Sequence, residues 1–332
     1  MKFKVLNLKQ QNESLSSVIE LLDESELPEG DVLIEVHYSS LNYKDAAALG
    51  NRGIIRKFPM VPGIDLAGVV IESQVPAYKA GDSVLLTGWG IGETHWGGYS
   101  QINRVDSKWL VPLPKGLSLK QAMSLGTAGL TSMLSVMALE ENEITPNSGE
   151  ILVTGASGGV GSLAIPLLVK KGYKVTALTG RLDNSEYLKE LGATQILERS
   201  SFLIQKRPGR FTIESEAFAG VIDTVGGDVL AAALARTKYA GCVTACGLVG
   251  GTDINTSVFP FILRGIHLVG IDSVKCPSAK RERAWKQIAT EFPLPILDKI
   301  TKEIQLQEVP KYAEEMLAGS GLGRKVVALR GI

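Results

Sequence analysis

The stretch Glu150-Ile151-Leu152-Val153-Thr154-Gly155-Ala156-Ser157-Gly158-Gly159-Val160-Gly161-Ser162 decides the fold. Its opening residues form a short apolar run closed by a turn signal, which reads as a buried strand. Leu163 to Lys171 then reads as a helix ending at Gly172, and Tyr173 to Thr179 as a second strand. The glycines thus fall at the strand-to-helix turn of one βαβ unit, where backbone N–H groups and the helix start favour a pyrophosphate. A glycine triplet alone carries little weight; between a strand and a helix it carries much more. Ser157, Gly158, Gly159, Val160 and Gly161 are the expected pyrophosphate-binding residues, and a dinucleotide is the expected ligand.

The end of the second strand says which dinucleotide. An NAD site places an Asp or Glu about 20 residues past the glycines to accept from the ribose 2′-OH. Here the strand ends Leu178-Thr179-Gly180-Arg181, with no acid at its tip. A hydroxyl, a small residue and a guanidinium suit a 2′-phosphate, which Arg grips bidentately. Arg199, just past a third expected strand (Gln195 to Glu198), would close on the adenine side. Asp183 opens Asp183-Asn184-Ser185-Glu186, which resembles a helix start rather than a ribose contact. The pattern predicts NADPH over NADH.

Outward from this unit, strands alternate with helices from 150 to about 270, with strands near 151, 175, 196, 221, 243 and 267. That alternation predicts a parallel, doubly wound sheet. Residues 1 to about 122 look mostly β, with short strands, Gly/Pro turns and little helical periodicity. Around 119 to 139 the pattern turns helical, with Leu119, Met123, Leu130, Met133, Met137 and Leu139 among its apolar positions. The expected organisation is a β-rich first domain at 1–122, a nucleotide-binding domain at 123–270, and a return segment at 271–332 that completes the first domain. Pro166 lies inside the helix after the glycines and should cost it the bond to the Ser162 carbonyl.

The bulk properties narrow the class. The chain has 332 residues with 35 Lys plus Arg against 35 Asp plus Glu, so no global field draws it to nucleic acid or an anionic membrane. No window of 18 or more apolar residues stands out, and Met1-Lys2-Phe3-Lys4-Val5 runs into strand-like alternation without a signal-peptide core. A cytoplasmic enzyme is expected. Cys242 and Cys246 share one expected strand, roughly 13 Å apart and too far for a disulfide. His37, His95 and His267 share no ligand spacing, so no metal site is expected.

A β-rich first domain, a nucleotide-binding insert and a returning tail resemble the medium-chain dehydrogenase/reductase superfamily along the whole chain. The resemblance implies a GroES-like catalytic domain plus a Rossmann domain. Zinc alcohol dehydrogenases of that superfamily carry a Cys-His pair, a Gly-His-Glu and a later Cys around the metal. The corresponding stretches here read Asn42-Tyr43, Gly63-Ile64-Asp65, and Thr127 in Gly126-Thr127-Ala128-Gly129, which implies hydride transfer without a metal Lewis acid. Longer blocks are similar to the acryloyl-CoA reductase branch of the quinone-oxidoreductase-like members. They include Ser40-Leu41-Asn42-Tyr43-Lys44-Asp45-Ala46, Phe58 to Asp65, Leu86-Thr87-Gly88-Trp89-Gly90, Ile222 to Gly226 and Pro260-Phe261-Ile262-Leu263-Arg264. Thr179-Gly180-Arg181 stands where that family has Ser-Gly-Arg, keeping hydroxyl and guanidinium.

The resemblance implies NADPH-dependent reduction of the carbon–carbon double bond of acryloyl-CoA. Charge developing on the carbonyl oxygen needs preplaced donors, and a proton must reach the α-carbon. Asn42, Tyr43 and Asp45 are the expected catalytic residues. Asn42 would donate to the substrate or the carboxamide, and Asp45 would pair with Lys44 and shape the loop. Tyr43 has two readings: general acid, or cofactor contact with solvent supplying the proton. Leu248 would lie under the cofactor; Ile262 and Ser273 would approach the nicotinamide half. Arg324, in a Gly-Arg turn near the terminus, is either a cofactor contact or a solvent-facing cation. Arg52, Arg56 and Lys57 would meet CoA phosphates or simply face solvent. A quinone or enone reductase, and an idle NADPH-binding protein, are the alternatives. A homodimer through the edge strand near 266–271 is what the resemblance implies.

Overall fold

The computed structural model describes residues 1–11, 14–204 and 213–330, and the chain divides into two compact units. One comprises Met1–Thr127, Ser273–Ala289 and Leu297–Ile332; the other comprises Ala128–Asp272 and Thr290–Ile296.

The second unit is built on a six-stranded parallel sheet. Its spatial order is Gln195–Glu198, Val175–Thr179, Glu150–Thr154, Phe218–Asp223, Thr237–Ala245 and His267–Gly270. All six strands expected from the alternation are present. Val175–Thr179 and Phe218–Asp223 are buried along their whole length, as parallel strands covered on both faces must be. That is why they read as continuous apolar runs without alternation. Chain order reverses between Glu150–Thr154 and Phe218–Asp223, and a crevice opens at such a point beyond the strands' carboxyl ends. The edge strand His267–Gly270 stays largely exposed.

The helix after the glycines runs Gly159–Lys170, so it begins four residues earlier than the apolar pattern places it. Gly158 caps it in extended conformation, and glycines carry no apolar side chain to announce a first turn. Pro166 sits within it, and the chain continues helical past it. Asn184 precedes the helix Ser185–Glu190, in line with reading that segment as a helix start.

The first unit holds a seven-stranded sheet and a separate hairpin, Lys2–Gln11 with Ser14–Asp23. The sheet runs Thr301–Gln305, Arg324–Ala328, Val32–Leu41, Asp65–Ser73, Ser83–Thr87 and Val111–Pro112, with Ile102–Val105 also paired to Val32–Leu41. Arg324–Ala328 lies antiparallel to Val32–Leu41 with Lys325 opposite Leu41, which sets the last strand beside the strand that leads into Asn42. Ile34, Leu66, Leu86 and Val327 are fully buried in its core.

Three sequence expectations need correction. Asn42 to Asp45 is not a loop: Tyr43–Leu49 is a helix, with Asn42 at its N-cap and Asp45 accepting from the Asn42 N–H at 2.8 Å. Seven residues are too few for a periodic signal, but the Asn-x-x-acid spacing and three successive alanines carry one. The helix Leu119–Glu141 is not continuous either, because Gly126 takes φ 52°, ψ −153° inside it. That same helix is long and apolar enough to cross a membrane, contrary to the expectation that no such segment exists. Its side chains are buried in the protein, as in a core helix.

Candidate active site

In the second unit the cradle is made by backbone. An ideal Cβ on Gly161 would lie 2.6 Å from the Gly155 carbonyl oxygen, and one on Gly155 only 2.2 Å from Thr224 Oγ1. Glycine is therefore required at both places for helix and turn to approach so closely. Gly159, Val160 and Gly161 form the first helical turn, whose N–H groups have no intrahelical acceptor. These donors, with the adjoining Ser157, fit a pyrophosphate.

At the tip of Val175–Thr179 the backbone folds back on itself, with the Arg181 N–H donating to Thr179 Oγ1 at 3.1 Å. A Cβ on Gly180 would come within 2.8 Å of Arg199 Nη2. The Arg199 guanidinium therefore lies against Gly180, beside Arg181. The Arg199 guanidinium and the Thr179 hydroxyl thus stand at the Gly180–Arg181 backbone, at a strand tip without an acid, and this residue set fits the 2′-phosphate of NADPH.

Asp223, which the sequence reading did not single out, ties the sheet together at its reversal. Its carboxylate accepts from Thr154 Oγ1 at 2.6 Å and from the Gly226 N–H at 2.7 Å, and burial pushes its pKa up. It links the carboxyl ends of the two central strands and so shapes the crevice. Leu248 follows Thr237–Ala245 and is 62% exposed; Ile262, on the helix Phe259–Arg264, is 67% exposed. Ser273 is buried in the first unit, and its carbonyl accepts from Arg281 Nη2 at 3.1 Å.

The first unit builds its site from side chains instead. Asp65 is fully buried and accepts from four groups: Ser40 Oγ at 2.5 Å, Asn42 Nδ2 at 2.9 Å, the Thr127 N–H at 2.9 Å and Thr127 Oγ1 at 2.5 Å. Asn42 Nδ2 also reaches Ser40 Oγ at 3.1 Å and Asp45 Oδ2 at 3.2 Å. Asp45 Oδ1 accepts from the Ile64 N–H at 2.8 Å. Asn42, Asp65 and Thr127, one from each stretch that the resemblance sets opposite the zinc-binding stretches, thus meet in one hydrogen-bonded cluster. Among the described residues no group of three or more His, Cys, Asp and Glu is placed to hold a metal ion.

Arg324 closes the cluster. It is buried, and its guanidinium donates to Asn42 Oδ1 at 2.9 Å, to the Ser124 carbonyl at 3.0 Å and to the Leu41 carbonyl at 3.4 Å. The solvent-facing alternative for Arg324 is therefore overturned. Burial pulls its pKa down, while the charges of Asp65 and Asp45 hold it up. Burial, reinforced by the charge of Asp65, pushes the Asp45 carboxyl up to about 7. Burial also drives the Tyr99 phenol, which donates to the Ser40 carbonyl at 3.1 Å, well above its ordinary value.

This geometry changes the expected roles. Both ends of the Asn42 amide and both Asp45 oxygens are occupied inside the protein, so they support the segment rather than donate outward. Lys44 does not pair with Asp45; its ammonium pairs with Glu93. Tyr43 alone projects, 40% exposed, and its hydroxyl oxygen accepts from Arg52 Nη1 at 3.2 Å. Tyr99 gave no sequence signal of its own, because its bond to the Ser40 carbonyl spans 59 residues; Arg52 was expected only at CoA phosphates or in solvent, not against Tyr43. Cys242 and Cys246 are free thiols, and burial pushes both up to about 12, far from reactive.

Comparison with known proteins adds to this picture. Residues 28–115 match the alcohol dehydrogenase GroES-like domain family and residues 159–290 the zinc-binding dehydrogenase family. The chain is 51% identical over 325 residues to the probable acrylyl-CoA reductase AcuI of Escherichia coli, covering 98% of this chain and 99% of that one. It is 47% identical to the acrylyl-CoA reductase AcuI of Ruegeria pomeroyi, covering 97% of each. A crystal structure of the YhdH oxidoreductase from Salmonella enterica in complex with NADP superposes with a TM-score of 0.96 at 49% identity, covering 99% of this chain and all of that one.

Proposed function

Since the chain belongs to the acrylyl-CoA reductase AcuI/YhdH family of the medium-chain dehydrogenase/reductase superfamily, we propose that it is a cytoplasmic NADPH-dependent reductase of short α,β-unsaturated acyl-CoA thioesters. Acryloyl-CoA is the substrate and propionyl-CoA the product. The observation that supports the cofactor half is the Arg199 guanidinium against Gly180, at a strand tip that carries Thr179 and Arg181 and no acid. Near-complete coverage of the acrylyl-CoA reductases supports the substrate half.

Bound NADPH supplies a hydride for the β-carbon of the substrate. The chain's own residues bind and orient. N–H groups of Gly159, Val160 and Gly161 take the pyrophosphate, and Arg181 with Arg199 takes the 2′-phosphate. Leu248 and Ile262, exposed on the second unit, would meet the nicotinamide half. Tyr43 presents the outward hydroxyl. Arg52 has only donors, so the phenol oxygen must accept from it and the phenol proton is free to point at a ligand. That arrangement favours Tyr43 as a donor to the thioester oxygen or the α-carbon. Arg52, Arg56 and Lys57 would supply cations for the CoA phosphates.

Two copies pair along the open edge of His267–Gly270, where Tyr239, Ile262 and Leu263 leave apolar surface exposed. Sedimentation at micromolar protein would give a dimer mass; a monomer would remove this part. For the reaction, NADPH absorbance is followed with acryloyl-CoA, crotonyl-CoA and a simple quinone in parallel. Saturable oxidation with acryloyl-CoA is expected, and oxidation with the quinone alone would overturn the assignment. Tight NADPH binding with no oxidation in any arm would mark an idle binding protein. Tyr43→Phe should lower kcat by about 100-fold if the phenol donates the proton. An unchanged kcat with a raised NADPH KM would make it a cofactor contact.

A further inference from the structure

We propose that Arg324 is a positioning residue for Tyr43: its buried guanidinium locks the Asn42 amide in one orientation, and Asn42 fixes the helix start from which Tyr43 projects. This rests on the reading of Tyr43 as the group that meets the ligands.

The ladder puts Arg324 in place. Lys325 stands opposite Leu41 across the antiparallel pair, so the preceding residue falls beside Asn42. A guanidinium has only N–H donors, so Asn42 must turn Oδ1 toward Arg324 Nη1, at 2.9 Å. Nδ2 then has to face Ser40, Asp45 and Asp65, and the amide has no second orientation that satisfies its neighbours. Arg324 Nη1 also reaches the Leu41 carbonyl, and Nε reaches the Ser124 carbonyl, so one side chain spans the strand that leads into Asn42 and the segment that leads to Thr127.

Two further observations set this cluster apart from ordinary packing. A charged group buried among apolar elements is costly, and hydrophobic residues of similar volume commonly serve stability as well or better. Second, Arg324 Nη2 is buried without a hydrogen-bond partner and faces the space at Gly126, where a Cβ would lie 2.9 Å from it and 2.5 Å from Asp65 Oδ2. The carboxylates of Asp45 and Asp65 and the phenol of Tyr99 are the titratable groups whose charges act on it. The fold keeps a donor fork here at a cost, and what the fork grips is the residue directly before Tyr43.

The test is a double-mutant cycle on the full chain. Arg324→Met and Tyr43→Phe are made singly and together, and kcat is measured with NADPH and acryloyl-CoA alongside the NADPH dissociation constant. If Arg324 acts through Tyr43, Arg324→Met lowers kcat by about 100-fold, the pair is little worse than either single change, and NADPH affinity stays within about threefold. Independent, multiplicative losses would overturn the proposal, as would a fall in NADPH affinity that matches the fall in kcat. Arg324→Lys, which keeps the charge but not the fork, serves if the Met variant does not fold, and should show the same cycle. Hydrogen exchange needs no turnover and separates this idea from the functional reading. Amides of Asn42 and Ile64 should exchange at least tenfold faster in Arg324→Lys, with the rest of the first unit unchanged. Unaltered protection there would sink the proposal even if acryloyl-CoA proved not to be the substrate.

Discussion

The two units solve the problem of holding charge in opposite ways. In the second, the proposed cradle is open: backbone N–H groups at a helix start, with Arg181 and Arg199 at a neighbouring strand tip, for an anion that would arrive from outside. In the first, Asp45, Asp65 and Arg324 are sealed inside and satisfied by Ser40, Asn42, Thr127 and one another's fields. The open cradle depends on glycine being small. The closed cluster depends on donors and acceptors matched across distant segments, with Arg324 Nη2 the exception. A lost contact in the first kind of site weakens one ligand; in the second it strands a buried charge.

Substitutions can break or sharpen that contrast. The largest effect is expected from Gly126→Val, which forces a branched side chain into positive φ with its Cβ 2.5 Å from Asp65 Oδ2. A loss of about 3 kcal/mol in unfolding free energy by urea denaturation is expected, and a loss under about 1 kcal/mol would mean the closed cluster tolerates disorder. Arg181→Ala comes next and touches only the cradle. NADPH KM should rise roughly 10- to 100-fold, with NADH use barely changed and the melting temperature intact. Equal losses for both cofactors would refute the 2′-phosphate role.

The third prediction reads the cluster through pH. Asp45 holds its proton to about 7 in the fold against 3.8 as the ordinary value, so folding takes up a proton between those pH values. The native state then binds more protons than the unfolded one, and stability should fall as pH rises through that window. The slope reaches about 1 kcal/mol per pH unit at most. Urea titrations at pH 4.5 and pH 7 should show the wild type losing ground to Asp45→Asn; a parallel response of the two would exclude Asp45 as the source. The smallest effect belongs to Gly180→Ala. Its Cβ would meet the tip of Arg199, a flexible side chain that yields, so stability should hold while NADPH KM rises a few-fold. An unchanged KM would remove Arg199 from the cofactor site.

How much of this was legible depends on distance along the chain. The glycine turn and the Thr179–Arg181 tip are local, and local backbone demands leave residue types that can be read directly. The central strands Val175–Thr179 and Phe218–Asp223 were equally plain, because strands covered on both faces leave unbroken apolar runs. The cluster in the first unit joins residues 40, 42, 65, 127 and 324, and no spacing rule links positions so far apart. Resemblance singled out Asn42, Asp65 and Thr127 as replacements of metal-binding residue types, without saying that they bond to each other. The helix Tyr43–Leu49 was missed for want of length, and with it the fact that Asn42 and Asp45 are turned inward.

The break at Gly126 has an electrostatic consequence. It frees the N–H of Thr127 from the preceding turn, and that N–H is given to Asp65, a residue 62 positions upstream. Asp65 is thus countered by the field of a guanidinium and held as well by a main-chain donor, one that every residue except proline supplies at position 127.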